Sequence, residues 1–163
     1  MKILYLIHQF YPEYHTGTEK FVFNQASMMQ KFGHKPVVLT YSFYPDAFYD
    51  QTHGNLLYKT FSYKGIAVLA LRHRSYPADL HDALSDPDVA AAAPSLIGWI
   101  EPDIAHVGHS MRMGGLIRAL IDGNIPYMMT LTDFFLLCPK TNLTTSGGSL
   151  CLGPQGGNAC RNL

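Results

Sequence analysis

The chain has 163 residues, twelve Lys plus Arg against twelve Asp plus Glu, and a hydrophobic fraction of 47%. The neutral balance excludes non-specific attraction to nucleic acid or to an anionic membrane as an organising function, and the apolar content excludes a disordered chain. The length suits one domain, 1–163, able to bury roughly 70% of its unfolded surface, and no apolar run approaches the roughly 20 residues that span a bilayer.

Met1 to His8 opens like a signal peptide, but its apolar part is short and no small-residue cleavage site follows. Ile3 to Ile7 reads instead as a central parallel strand, and a cytoplasmic location is expected. Gln9 to Gly17 is a loop. Thr16-Gly-Thr-Glu19 matches the capping box, in which a threonine and a glutamate three residues on satisfy each other's backbone amides. Phe21, Val22, Gln25, Ala26, Met29 and Phe32 then recur near helical spacing, and Gly33 is a natural stop. Pro36 to Thr40 reads as a second strand.

Ser42 to Lys64 is an irregular aromatic-rich insert. It leads into a hairpin in which Leu56 to Tyr63 pairs with Ile66 to Leu71. The insert either forms a sugar- or lipid-facing lid or packs over a sheet edge. Arg72 to Asp86 is a polar connection. Asp86-Pro87 is an N-cap and first-turn pair opening a helix from Val89 to Ile100, interrupted at Pro94. Asp103 to Val107 reads as a strand, Gly114 to Asp122 as a helix and Pro126 to Leu131 as a buried strand. A Gly-, Ser- and Cys-rich tail occupies 141–163.

Strand–helix–strand, insert, then helix–strand–helix–strand predicts an α/β fold: a Rossmann-like doubly wound, mostly parallel sheet with helices on both faces and parallel order 3-2-1-4-5. In such sheets ligands bind at the carboxyl ends of strands where the winding reverses. Three segments are expected to meet there: His8 to Gly17, His106-Val-Gly-His109, and Thr130-Leu-Thr-Asp133.

The first segment lacks a G-x-G-x-x-G turn, which argues against NAD or FAD. Gly17 still opens a helix, whose free amides either cradle an anion or simply start the helix. His106 and His109 are either ligand contacts or structural histidines. Asp133 either binds a hydroxyl, orients a histidine or caps the following turn. Cys138, Cys151 and Cys160 are an odd set clustered at one end. They fit neither a disulfide framework nor the short Cys pairs of a zinc site, so no metal is expected.

Taken together, these segments resemble the amino-terminal domain of the family 4 glycosyltransferases, whose GT-B fold pairs two Rossmann-like domains. Met1-Lys-Ile-Leu-Tyr-Leu-Ile-His-Gln-Phe-Tyr-Pro-Glu13, Gly17-Thr-Glu19 and Gly33-His34 look like that family's first strand, glycine loop and helix. Pro102-Asp-Ile-Ala-His-Val-Gly-His109 is similar to its Pro-Asp-Val-Val-His-x-His segment. Ile125-Pro126 with Thr130-Leu-Thr-Asp-Phe-Phe-Leu-Leu-Cys-Pro139 is similar to its Pro-hydrophobic-Thr-x-His-Asp stretch. The tail from Cys151 to Cys160 resembles a cysteine-rich continuation found in one branch. Thr132 stands where the family usually has a histidine, and Thr16 replaces the first of a common glycine pair.

The resemblance implies transfer of a sugar from a nucleotide-sugar donor to an acceptor hydroxyl with retained anomeric configuration, in glycan or polysaccharide synthesis. It implies no cofactor and no essential metal. Thr16 and Gly17 are then expected to face the donor phosphates, and His8, Glu13, His106, His109, Thr132 and Asp133 to line an acceptor or sugar cleft. The expected partners are a carbohydrate or lipid-linked acceptor and a carboxyl-terminal donor-binding domain outside these residues. Any membrane association is expected to be peripheral, at the inner face. Without preorganised positive partners for the departing diphosphate, the isolated domain is expected to be nearly inactive. The alternatives are a non-catalytic glycan- or protein-binding module on the same fold, and a metal-binding interaction domain built on the cysteines.

Overall fold

The computed structural model describes residues 1–77, 83–138, 141–145, 147–153 and 160. Its internal contacts group the chain into two compact units, Met1–Thr130 and Leu131–Leu163. Parts of the expected 72–86 connection and of the 141–163 tail lie outside the described residues.

In the first unit the strands are β1 (Lys2–Ile7), β2 (Lys35–Tyr41), β3 (Gln51–His53), β4 (Leu56–Tyr63), β5 (Ile66–His73), β6 (Ile104–Val107) and β7 (Tyr127–Met129). The helices are α1 (Gly17–Lys31), α2 (Pro87–Ile100) and α3 (Gly114–Asp122). One sheet runs β3-β4-β5-β2-β1-β6-β7. From β5 to β7 every pairing is parallel, while β3 and β4 add antiparallel strands outside β5. The parallel strands therefore follow the expected 3-2-1-4-5 order, and the winding reverses between β1 and β6. This is an α/β, Rossmann-like fold.

Alternation along β1 decides which helix covers which face. Leu4 and Leu6 point into a core with Val89, Ala93 and Leu96 of α2 and Leu116 and Leu120 of α3. Ile3, Tyr5 and Ile7 point the other way, onto Val22 and Ala26 of α1. Each fully buried Leu or Ile contributes about 1.5–3 kcal/mol, so the two cores rather than the surface fix the layering.

Local chemistry sets the element ends. Glu19 accepts hydrogen bonds from Thr16 N (2.6 Å) and Thr16 Oγ1 (2.5 Å), and Gly33, at φ +81°, turns the chain out of α1. The β4–β5 turn uses Lys64 and Gly65, both at positive φ, as a two-residue hairpin of matching twist requires. Asp86 Oδ1 accepts from Asp88 N (2.9 Å) and Val89 N (3.2 Å), capping α2. Where α2 meets α3 the backbones nearly touch: a Cβ on Gly115 would lie 2.5 Å from Ala90 Cα.

Three sequence expectations are corrected. Pro94 does not interrupt α2, which runs unbroken through it. Pro94 sits on an exposed face of the helix, outside the core packing. The strand read as Pro126–Leu131 is shorter and is not buried: β7 is the last strand of the sheet, with Tyr127 42% and Met128 56% exposed. Part of the insert read as irregular pairs as β3. The insert's open alternative resolves largely toward packing, since Tyr44, Phe48 and Tyr49 sit with Leu57, Phe61 and Ala70 against the hairpin.

In the second unit, Cys138 N donates to Phe134 O (2.7 Å) and Phe134 N to Thr141 O (3.1 Å), closing a turn. Thr144 and Leu150 form an antiparallel bridge. Cys138 is buried, and Cys151 and Cys160 are half-buried. Among the described residues no helix is long and apolar enough to cross a membrane.

Candidate functional site

The reversal between β1 and β6 opens a cleft of about 370 Å³ lined by His8, Gln9, Tyr14, Phe43, Tyr76, Met111 and Arg112. A second groove, of about 230 Å³, lies between the β3–β4 strands and α2 with Trp99 on its rim. It is mostly apolar and holds a single histidine, His53. The strand-end cleft gathers the polar and basic groups and is the stronger candidate.

Of the expected residues, His8 lines this cleft, and His109, 5% exposed, packs against it. The rings of His8, just after β1, and His109, just after β6, lie 4.0 Å apart between centroids. Gly108 N and His109 N both donate to Leu6 O, at 2.8 and 3.4 Å, which ties the two strand ends together. Met111 N donates to His109 Nδ1 (3.1 Å). That bond fixes the neutral tautomer with its proton on Nε2.

Arg112 is the basic wall of the cleft, and sequence reasoning passed over it. Its Nη2 donates to His8 O and its Nη1 to Tyr76 Oη, each at 3.3 Å. Its guanidinium lies 4.8 Å from the Tyr41 ring centre, within cation–π range. The backbone at Arg112 has φ +61°, a left-handed conformation that costs a non-glycine residue about 1–2 kcal/mol. Such strain concentrates at functional positions. The sequence signal was a lone arginine just beyond a strand end.

Glu13 serves this wall indirectly. Both of its carboxylate oxygens accept from Phe43 N, at 3.0 and 3.1 Å, which pins the loop after β1 to the chain leaving β2. Burial pushes the Glu13 carboxyl above the usual range, against the lowering pull of the Phe43 amide and Arg72.

His106 is not brought into the cleft. It lies within β6, 4% exposed, packed against Tyr5 and Phe21, with Nε2 2.8 Å from Thr130 Oγ1. Burial holds its pKa below the ordinary histidine value. It has the position of a structural histidine.

Thr16 and Gly17 stand at the start of α1. Glu19, fully buried, takes the Thr16 amide and also accepts from Gln9 Nε2 (3.0 Å), so one carboxylate joins the helix start to a cleft residue. Gly17 faces open space: a Cβ there would meet nothing within 4 Å. Thr132 and Asp133 belong to the second unit. There Asp133 Oδ1 accepts from Phe135 N (2.9 Å), the local capping geometry.

In comparisons with known proteins, no family model and no curated protein matches this sequence.

Proposed function

We propose that this chain is the acceptor-side domain of a retaining glycosyltransferase, one half of a GT-B architecture, whose strand-end cleft receives a carbohydrate or lipid-linked acceptor. The observation that carries the reading is the meeting of His8, His109 and Arg112 at the winding reversal, flanked by Tyr14, Phe43 and Tyr76. Aromatic faces stack on sugar rings, while a fixed imidazole N–H and a guanidinium donate to hydroxyl or anionic oxygens. The open face at Gly17 supports approach of a donor diphosphate to the start of α1.

Transfer requires donor and acceptor held together in one site. The donor side, with its positive partners for the leaving diphosphate, is assigned to a carboxyl-terminal domain. The work is expected at the cytoplasmic side, with at most a peripheral membrane contact. Binding to an array of glycans and lipid-linked sugars tests the acceptor assignment. Arg112→Ala is expected to weaken capture about tenfold, the equivalent of one hydrogen-bonding group. Nucleotide sugars offered to the 163-residue chain are expected to give no turnover. Sustained turnover would contradict the half-site reading.

The non-catalytic binding module remains a second reading, favoured by one observation. The cleft's nearby carboxylate, Glu13, is engaged by the Phe43 amide rather than held ready for proton transfer.

A further inference from the structure

Behind the cleft, where β5 ends and α2 begins, three potential metal ligands converge. His73 Nε2 lies 3.0 Å from Asp86 Oδ2 and 3.5 Å from Asp88 Oδ2. All three ligand atoms fall within 4.8 Å of one another. We propose that His73, Asp86 and Asp88 form a binding site for one divalent transition-metal ion of the zinc or manganese class.

The histidine is the independent sign. Its side chain is fully buried, yet neither ring nitrogen makes a hydrogen bond of acceptable geometry. Nε2 faces two carboxylates at close range and is aligned with neither. A protonated His73 would leave an N–H misdirected between two acceptors. A metal ion placed between the three atoms needs no linear N–H and accepts the Nε2 lone pair. The Nδ1 proton has no partner in either state and does not discriminate between them.

The spacing fits. With metal–ligand bonds of about 2.0–2.2 Å, ligand atoms stand about 3.0–3.5 Å apart, from cis-octahedral to tetrahedral arrangements. The observed 3.0 and 3.5 Å span that range. The donor set, one imidazole and two carboxylates, suits zinc or manganese better than magnesium, which favours oxygen and water.

The ligands are also held in place by their neighbours, as metal sites require. Asp86 is fixed through Oδ1 by the amides that cap α2, and its Oδ2 accepts from the Tyr41 hydroxyl. Asn55 Nδ2 donates to Asp88 Oδ2 (3.0 Å) and to Ser75 O (3.0 Å). The His73 ring stacks on Tyr41 and meets Tyr76 edge-on, at 5.9 and 5.5 Å. Asp88 is 40% exposed, which leaves a solvent-side position for a water ligand. Through Tyr41 and Tyr76 the site backs the same wall that holds Arg112.

The test is titration of the chelator-stripped chain with Zn²⁺ alone, with Mn²⁺ and Mg²⁺ as comparison arms. Uptake is read by calorimetry and metal content, and stability by melting with and without chelator. One zinc per chain is expected, with a melting temperature higher than in chelator, and manganese binding more strongly than magnesium. Asp88→Asn is expected to weaken zinc binding at least about tenfold. The difference between wild type and this variant removes any zinc held by the cysteines. His73→Phe keeps the aromatic packing and is expected to lose the zinc-dependent rise in melting temperature. Equal zinc uptake by wild type and Asp88→Asn, or a wild-type melting temperature indifferent to zinc, would overturn the proposal.

Discussion

The strand-end cleft and the cluster behind it use the same residue types to opposite ends. Around the cleft, the His109 ring accepts from the Met111 amide and Arg112 donates to oxygens of His8 and Tyr76. In the cluster, His73 and two aspartates are pressed together with the histidine unsatisfied. Tyr41 separates the two regions, with Asp86 at its hydroxyl and Arg112 over its ring. The difference teaches that burial alone does not mark a ligand site. How the buried polar atoms are satisfied does.

The largest expected effect removes the support of both regions at once. Gly115→Ala drives a methyl to 2.5 Å from the Ala90 backbone, and neither helix can yield cheaply. Overpacking of this kind costs about 3 kcal/mol. Thermal or denaturant unfolding should show it, and an unchanged midpoint would mean that α2 and α3 are not packed as described.

Next, Asp86→Ala separates cluster from cleft. It deletes the α2 cap and strands the Tyr41 hydroxyl, together about 2–3 kcal/mol. Burial raises the Asp86 carboxyl, but nearby His73, Tyr41 and the Val89 amide outweigh that and leave its pKa lowered. A lowered aspartate stabilises the fold above its unfolded value of about 3.9 and loses that contribution as pH falls through the folded value. The acid limb of the stability curve should therefore be flatter in the variant. An unchanged acid limb would remove Asp86 as its source.

His106 is the internal control. Its lowered pKa means that its contribution is complete above about pH 6.5 and erodes as pH falls toward the folded value. His106→Gln should weaken the pH dependence in that window without changing acceptor binding. A binding defect would return His106 to the cleft.

Much of this was legible in the sequence where local chemistry decides. Thr16 with Glu19, Lys64 with Gly65, and Asp86 with Pro87 each specify an element end through their own backbone demands. The parallel order followed from alternation of element types. Tyr127 and Met128 misled because an apolar run carries no record of whether its strand is central or last. Pro94 misled because the penalty for a helical proline depends on which face it occupies. Arg112 and His73 were missed because their significance lies in contacts outside their own elements, from Arg112 to His8 and from His73 to Asp86 and Asp88.

The smallest expected effect is at Gly17. Gly17→Ala finds open space, so stability should shift by no more than about 0.5 kcal/mol. Under the proposed glycosyltransferase reading, a larger loss confined to donor-dependent transfer would come from the diphosphate approach itself.

The most direct measurement of the central claim is amide chemical-shift mapping of the labelled chain during titration with candidate acceptors. The account predicts saturable shifts concentrated at His8, Gln9, Tyr14, Phe43, Tyr76, Met111 and Arg112, and their loss in Arg112→Ala. Saturable shifts centred on the Trp99 groove, with the strand-end cleft silent, would contradict it.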